Sequence, residues 1–167
     1  MPDVVLKAEH VTKRFGGITA LEDAQLELYK GEVHALVGAN GAGKSTLIKI
    51  ITGAYSSDEG DIYLDGQKVD IKSTFDARAK GISAVYQEFS LINTVSVAEN
   101  IYMGKLLYNN LGPIPRADWK RMNEETQKIL DSLGVKNIKP ETIVGRLSVA
   151  QKQMVEIAKA LSNDLKV

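Results

Sequence analysis

The chain contains no cysteine. That excludes disulfide bonds, thiolate metal sites and a cysteine nucleophile, and it fits a reducing compartment. It has no excess of charge either: Lys plus Arg and Asp plus Glu number 21 each. A nucleic-acid surface normally shows a basic excess, so that class of partner loses its electrostatic footprint. No apolar run approaches the ~20 residues of a membrane span. The first residues, MPDVVLKAEHVTKRF, carry charges throughout and lack the apolar stretch of a signal peptide. Composition therefore predicts a soluble chain. Its 167 residues suffice for one domain with a real core and fall short of two. There is no internal repeat and no low-complexity segment.

What is present is concentrated between Gly31 and Gly53, GEVHALVGANGAGKSTLIKIITG. Gly38, Ala39, Asn40, Gly41, Ala42, Gly43, Lys44, Ser45 and Thr46 form a glycine-rich phosphate-binding loop of the Walker A pattern. The apolar run before it (Val33, Ala35, Leu36, Val37) predicts a buried strand, and Thr46 to Ile51 predicts a helix. The chemistry follows from the residue types. A helix N-terminus offers unpaired N–H groups and the positive end of its peptide dipoles to an anion. Glycines let the backbone wrap a phosphate at distances a Cβ would obstruct. Lys44 supplies a point charge to the β- and γ-phosphates. The Ser45 hydroxyl is an oxygen ligand of the kind Mg²⁺ takes beside phosphate oxygens.

Around this stretch, Val4 to Val11 predicts a strand, Lys13 to Gly17 a turn, and Leu21 to Leu28 a half-buried antiparallel strand. Asp61 to Leu64 and Lys68 to Val69 flank Asp65-Gly66, a hairpin turn signal. Thr74 to Lys80 predicts a short helix stopped by Gly81, and Ile82 to Tyr86 another strand, followed by Gln87. The next part is helical: one helix around Val97 to Met103, then a loop with Asn109, Asn110, Gly112, Pro113 and Pro115. A longer helix is capped by Asp118 and stopped at Gly134, with Trp119, Met122, Ile129, Leu130 and Leu133 mostly on one face. Ser148 and Gln151 have capping-box spacing. Met154, Ile157, Ala158 and Leu161 follow as an amphipathic stripe, and Leu165 to Val167 begins a further strand. His34, inside the loop's strand, and His10, on a strand surface, read as structural.

With the phosphate loop, Gln87 and LSVAQ in this order, the chain resembles the nucleotide-binding domain of ABC transporter ATPases. More narrowly it is similar to the first such domain of bacterial monosaccharide importers of the ribose/galactose type. The matching stretches are GGITALEDAQLELYKGEVHALVGANGAGKSTLIKIITGAY, GISAVYQEFSLINTVSVAENIYMG and LSVAQKQMVEIAKALS. The resemblance implies an α/β P-loop NTPase core, truncated, with an antiparallel β subdomain and a helical insert. It divides the chain at approximately 1–87 (β-rich and phosphate-loop part), 88–146 (helical subdomain) and 147–167 (signature helix and start of the next strand). It implies ATP and Mg²⁺ as cofactors, Lys44 and Gln87 as catalytic residues, and Ser45 and Gln87 as Mg²⁺ ligands. Phe15 matches the aromatic that stacks on adenine, an interaction that stabilises a base by ~1–3 kcal/mol in other systems. Ser148, Val149, Ala150 and Gln151 match the signature that closes over nucleotide held by a second ABC domain. The implied partners are that second domain, transmembrane permease subunits and, indirectly, a periplasmic or extracellular sugar-binding protein. The implied place is the cytoplasmic face of the membrane, as a peripheral protein, without nucleic acid.

Two departures stand out. Val149 and Ala150 occupy positions where the signature usually has two glycines, and Ala39 stands where these importers often have Glu. The family's next strand, after the position of Val167, carries the Walker B aspartate that completes the Mg²⁺ site and the glutamate that polarises water; a later loop supplies a histidine. The expectation is that these 167 residues alone bind ATP weakly or not at all and turn over negligibly. An unfinished parallel sheet would also leave an apolar edge, predicting a marginal fold or a homo-oligomer. A non-hydrolytic nucleotide-binding or regulatory module is the alternative, since it keeps Lys44 and Ser45 and needs no water-activating glutamate. A soluble ABC ATPase working on nucleic acid or ribosomes is the third reading, and the balanced charge speaks against it.

Overall fold

The computed structural model describes residues 3–86, 88–109 and 115–167. They form two compact units, Met1–Ser83 with Leu165–Val167, and Ala84–Asp164.

In the first unit, β1 (Val4–Phe15) and β2 (Ile18–Tyr29) are long antiparallel strands. Strand β3 (Glu59–Leu64) pairs with the other side of β1, and β4 (Gln67–Val69) with β3, giving the order β2-β1-β3-β4. The expected turn over Lys13–Gly17 shrinks to Gly16 and Gly17, because β1 runs on to Phe15. Asp65 and Gly66 both have positive φ, as a two-residue hairpin needs. The imperfect alternation of β1 has a cause. Leu6 and Ala8 are buried, and then the register slips near His10, whose φ is 54°, so that Val11 is the next buried apolar residue. Gly60 of β3 meets this bulge: a Cβ there would lie 2.5 Å from the Glu9 carbonyl oxygen and 2.4 Å from that of His10. Helix α1 (Lys44–Ile51) contributes Leu47, Ile50 and Ile51 to a core with Leu6, Val11, Ile62 and Leu64. Helix α2 (Thr74–Ala79), capped by the Ser73 hydroxyl, adds Ala77.

Three strand expectations are corrected, one of them Leu165 to Val167, which has no regular structure. Residues 32–39 have no regular structure, and Val33 and Val37 are 101% and 88% exposed instead of buried. A buried central strand draws hydrogen bonds from neighbours on both sides, and among the described residues no ladder reaches this segment. His34 is accordingly an exposed residue beside Glu32 (Nδ1 to Oε1, 3.2 Å), not an interior one. The Ile82–Tyr86 stretch is likewise not a strand. Gly81 and Ser83 do bond residues 166–167: the Lys166 and Val167 amides donate to the Gly81 carbonyl at 2.8 and 3.1 Å, and the Ser83 amide donates to that of Val167 at 3.0 Å.

The second unit is helical. Helix α3 (Val97–Tyr102), α4 (Trp119–Ser132) and α5 (Val149–Leu161) pack on one another. Their core includes Val97, Ile101, Met122, Leu130, Val155 and Ala158. Strands β5 (Tyr108–Asn109) and β6 (Arg116–Ala117) form a short ribbon before α4. The loop placed at Asn110, Gly112 and Pro113 lies outside the described residues. Asp118 caps α4 by accepting from the Arg121 amide, and Gly134, at φ 70°, follows its C-cap Leu133. Trp119 departs from the expected apolar face; it is half-exposed at the first helical position. On α5 the buried residues are Val155, Glu156 and Ala158, while Leu161 is exposed, so the buried stripe is turned from the expected one.

Candidate nucleotide site

The phosphate loop leads directly into α1. Gly43 is its N-cap, at φ 77°, a left-handed conformation that an L side chain rarely adopts. A Cβ on Gly43 would also lie 2.8 Å from the Ala20 carbonyl oxygen and 2.7 Å from Leu21 Cδ1. The loop's last glycine is thus fixed twice, by its own backbone and by the approach of β2. The Leu47 amide donates to the Gly43 carbonyl at 2.9 Å, opening the helical ladder. The amides of Lys44, Ser45 and Thr46 come ahead of that bond, which makes them the donors a helix N-terminus offers to an anion.

Lys44 folds back over the loop. Its Nζ donates to the carbonyls of Gly38 at 2.7 Å and Ala39 at 2.8 Å. An ammonium has three N–H donors, so one remains for a phosphate oxygen. The Ala42 amide donates to the Ala39 carbonyl at 3.2 Å and closes the turn around Asn40 and Gly41. Ser45 is exposed beside Lys44. Among the described residues no group of three or more His, Asp or Glu could hold a metal ion. The donor set fits Mg²⁺ only in its phosphate-accompanied form, with the Ser45 hydroxyl beside nucleotide oxygens.

Phe15 ends β1 and is 41% exposed. It is therefore a surface ring and no part of the buried core. Its ring meets that of Tyr55 edge-on, with centroids 5.2 Å apart and planes at 69°. The Lys13 ammonium lies 5.4 Å from the Phe15 ring centroid and 2.8 Å from Asp58 Oδ1. That lysine bond first, and the Arg14 amide second, hold the Asp58 carboxyl below its ordinary range. Sequence reasoning missed Tyr55; the only signal was an aromatic just past the end of the phosphate-loop helix.

Gln87 lies outside the described residues. The signature residues belong to the second unit. Ser148 caps α5 reciprocally: its Oγ accepts from the Gln151 amide at 3.3 Å, and Gln151 Oε1 accepts from the Ser148 amide at 3.0 Å. Leu147 packs against the helical core, while Ser148, Val149 and Ala150 are exposed at the helix start. The capping side chains take the Ser148 and Gln151 amides, so the amides this exposed end offers are those of Val149 and Ala150. Two buried polar residues went unseen in the sequence. Glu156 accepts from the Ser90 amide at 2.5 Å and from the Ser90 hydroxyl at 3.1 Å. The Asn100 amide group satisfies both backbone groups of Ile92 and the carbonyl of Ser96.

A family model described as ABC transporter matches residues 21–167. The chain is 48% identical over 163 residues to a putative ribose/galactose/methyl galactoside import ATP-binding protein of Burkholderia ambifaria, covering 98% of this chain and 31% of the relative. It is 45% identical to a ribose import ATP-binding protein of Caldanaerobacter subterraneus, covering 94% of this chain and again 31% of the relative. The chain therefore spans about a third of the length of the curated relatives it matches. Among solved structures, a nucleotide-free ATP-binding cassette from an ABC transporter superposes with a TM-score of 0.78 at 30% identity, covering 95% of this chain and 65% of that one.

Proposed function

The chain belongs to the ABC transporter family, and from that premise we propose that it is the ATP-binding part of a sugar-importing ATPase. The observation that carries the proposal is the phosphate loop, with Gly43 fixed by β2 and Lys44 held over the Gly38 and Ala39 carbonyls at the start of α1. In this reading the triphosphate takes the amides of Gly41 and of Gly43 through Thr46 and the third N–H of Lys44. The exposed Ser45 hydroxyl joins Mg²⁺, whose role when bound is to neutralise phosphate charge. Phe15 stacks on the adenine. Gln87 contributes to Mg²⁺ and to placing the attacking water. The capped start of α5, Ser148 to Gln151, offers the amides of Val149 and Ala150 and the Ser148 hydroxyl to nucleotide held by a second ABC domain.

Sugar import is supported by the names of the relatives, ribose and galactose import ATP-binding proteins, and is proposed for the longer protein that such relatives represent. Its partners are permease subunits of the membrane, with the ATPase peripheral on the cytoplasmic face and a sugar-binding protein engaged indirectly. Among the described residues no helix is long and apolar enough to cross a membrane, which accords with attachment through partners. For the 167 residues themselves the proposal is weak, Lys44-dependent nucleotide binding without steady turnover. The positions that match the family supply phosphate binding, and no acidic group for activating water is matched among them. The test is phosphate release from Mg-ATP by the purified chain. The expected rate equals that of a Lys44→Ala control. Steady hydrolysis that the Lys44→Ala change abolishes would contradict the proposal.

A further inference from the structure

Phe15 stands at the exposed end of a strand, where burial alone does not hold a phenyl ring in one orientation. Its neighbour Tyr55 is itself 37% exposed. What fixes Tyr55 is its backbone: its amide donates to the Lys49 carbonyl at 3.0 Å, beside the matching bond from Ala54 at 2.8 Å, where Gly53 turns the chain off α1 at φ 73°. The Tyr55 ring is flanked by the Lys49 ammonium at 5.1 Å, as the Phe15 ring is by Lys13 at 5.4 Å. Edge-to-face contact at 5.2 Å is the arrangement that aromatic quadrupoles favour.

We propose that Tyr55 is a positioning residue for the nucleobase. It sets the orientation of the Phe15 ring, and it ties that ring to the end of the helix whose other end holds the phosphates. The inference rests on the reading of Phe15 as the base platform. The Lys13 cation lies over one face of the Phe15 ring, and the Tyr55 ring meets it at 69°. Base and phosphates are then gripped by two ends of one rigid element, and the separation between them is set by α1. An aromatic oriented in advance loses less freedom when the base arrives, so the gain belongs to ligands that carry a base.

The experiment is equilibrium dialysis of the 167-residue chain with Mg-ATP and, in parallel, with Mg-tripolyphosphate, which has the charge and no base. The chain is compared with Tyr55→Leu, Tyr55→Phe and Phe15→Leu. Tyr55→Leu is expected to weaken ATP by about two- to ten-fold, the range of an aromatic pair, and to leave tripolyphosphate unchanged. Tyr55→Phe keeps the edge and is expected to bind both like the parent. Tyr55→Met repeats the test if the leucine variant unfolds. Equal loss of both ligands in Tyr55→Leu, or no loss while Phe15→Leu weakens ATP alone, overturns the inference and leaves the base platform standing. A parent chain without preference for ATP, including one that binds neither ligand, or a preference untouched by Phe15→Leu, overturns the base platform and this inference with it.

Discussion

Lys44 is positioned by the loop it serves: two of its N–H donors are taken by the Gly38 and Ala39 carbonyls, so the ammonium is in place before any anion arrives. Removing it exposes no buried group, and a Lys44→Ala protein should fold as the parent does while losing its phosphate contact. Thr126 is the opposite case. It is fully buried in α4, and its hydroxyl has no hydrogen-bond partner among the described residues. Its position between Met122 and Leu130, four residues either way, belongs to the apolar stripe of the helix. An unpartnered buried hydroxyl costs free energy that an isosteric methyl does not. Thr126→Val is therefore expected to be stabilising by about 1 kcal/mol, read as a higher urea midpoint at unchanged slope. A lower midpoint would mean that the hydroxyl is satisfied.

At the scale of elements, α5 joins two jobs on one helix. Its start presents the exposed Ser148–Ala150 turn, and its middle carries Glu156, which anchors the loop at Ser90, three residues past Gln87. Glu156→Ala strands the Ser90 amide and should cost about 1–3 kcal/mol, with hydrogen exchange faster at Ser90 than in the core of α3. Glu156→Gln keeps an acceptor and should restore most of the protection. Equal exchange at Ser90 in parent and Glu156→Ala would refute the anchor. These elements also mark what a sequence discloses. The Asp65-Gly66 turn, the Asp118 cap, the Gly134 stop and the Ser148–Gln151 box were legible because each depends on residues within four positions of one another. Glu156 and Ser90 are 66 residues apart, so only the fold pairs them. Val33 to Val37 has the composition of a buried strand, but strand formation needs neighbours, and composition does not say whether they are there. Within the candidate site, Lys44 and its glycines were legible for the same local reason, and Tyr55 was not, since it meets Phe15 from forty residues away.

At the scale of the whole molecule, the two units divide the candidate machinery, phosphate loop and base platform in one, signature helix in the other. The exposed Val33 and Val37 give the first unit an apolar segment with strand-forming composition and no ladder partner among the described residues. Such a segment invites pairing with another chain. Sedimentation should show self-association that rises with concentration, and Val33→Lys with Val37→Lys should shift it toward monomer; a parent that stays monomeric throughout would contradict this. The claim on which everything else depends is that the loop from Gly38 to Thr46 receives nucleotide phosphates. Amide NMR of the chain titrated with Mg-ATP tests it most directly. The amides of Gly41, Gly43, Lys44, Ser45 and Thr46 are expected to shift first and furthest, and Lys44→Ala is expected to remove the response. Shifts centred elsewhere, or a response that survives Lys44→Ala, would contradict it.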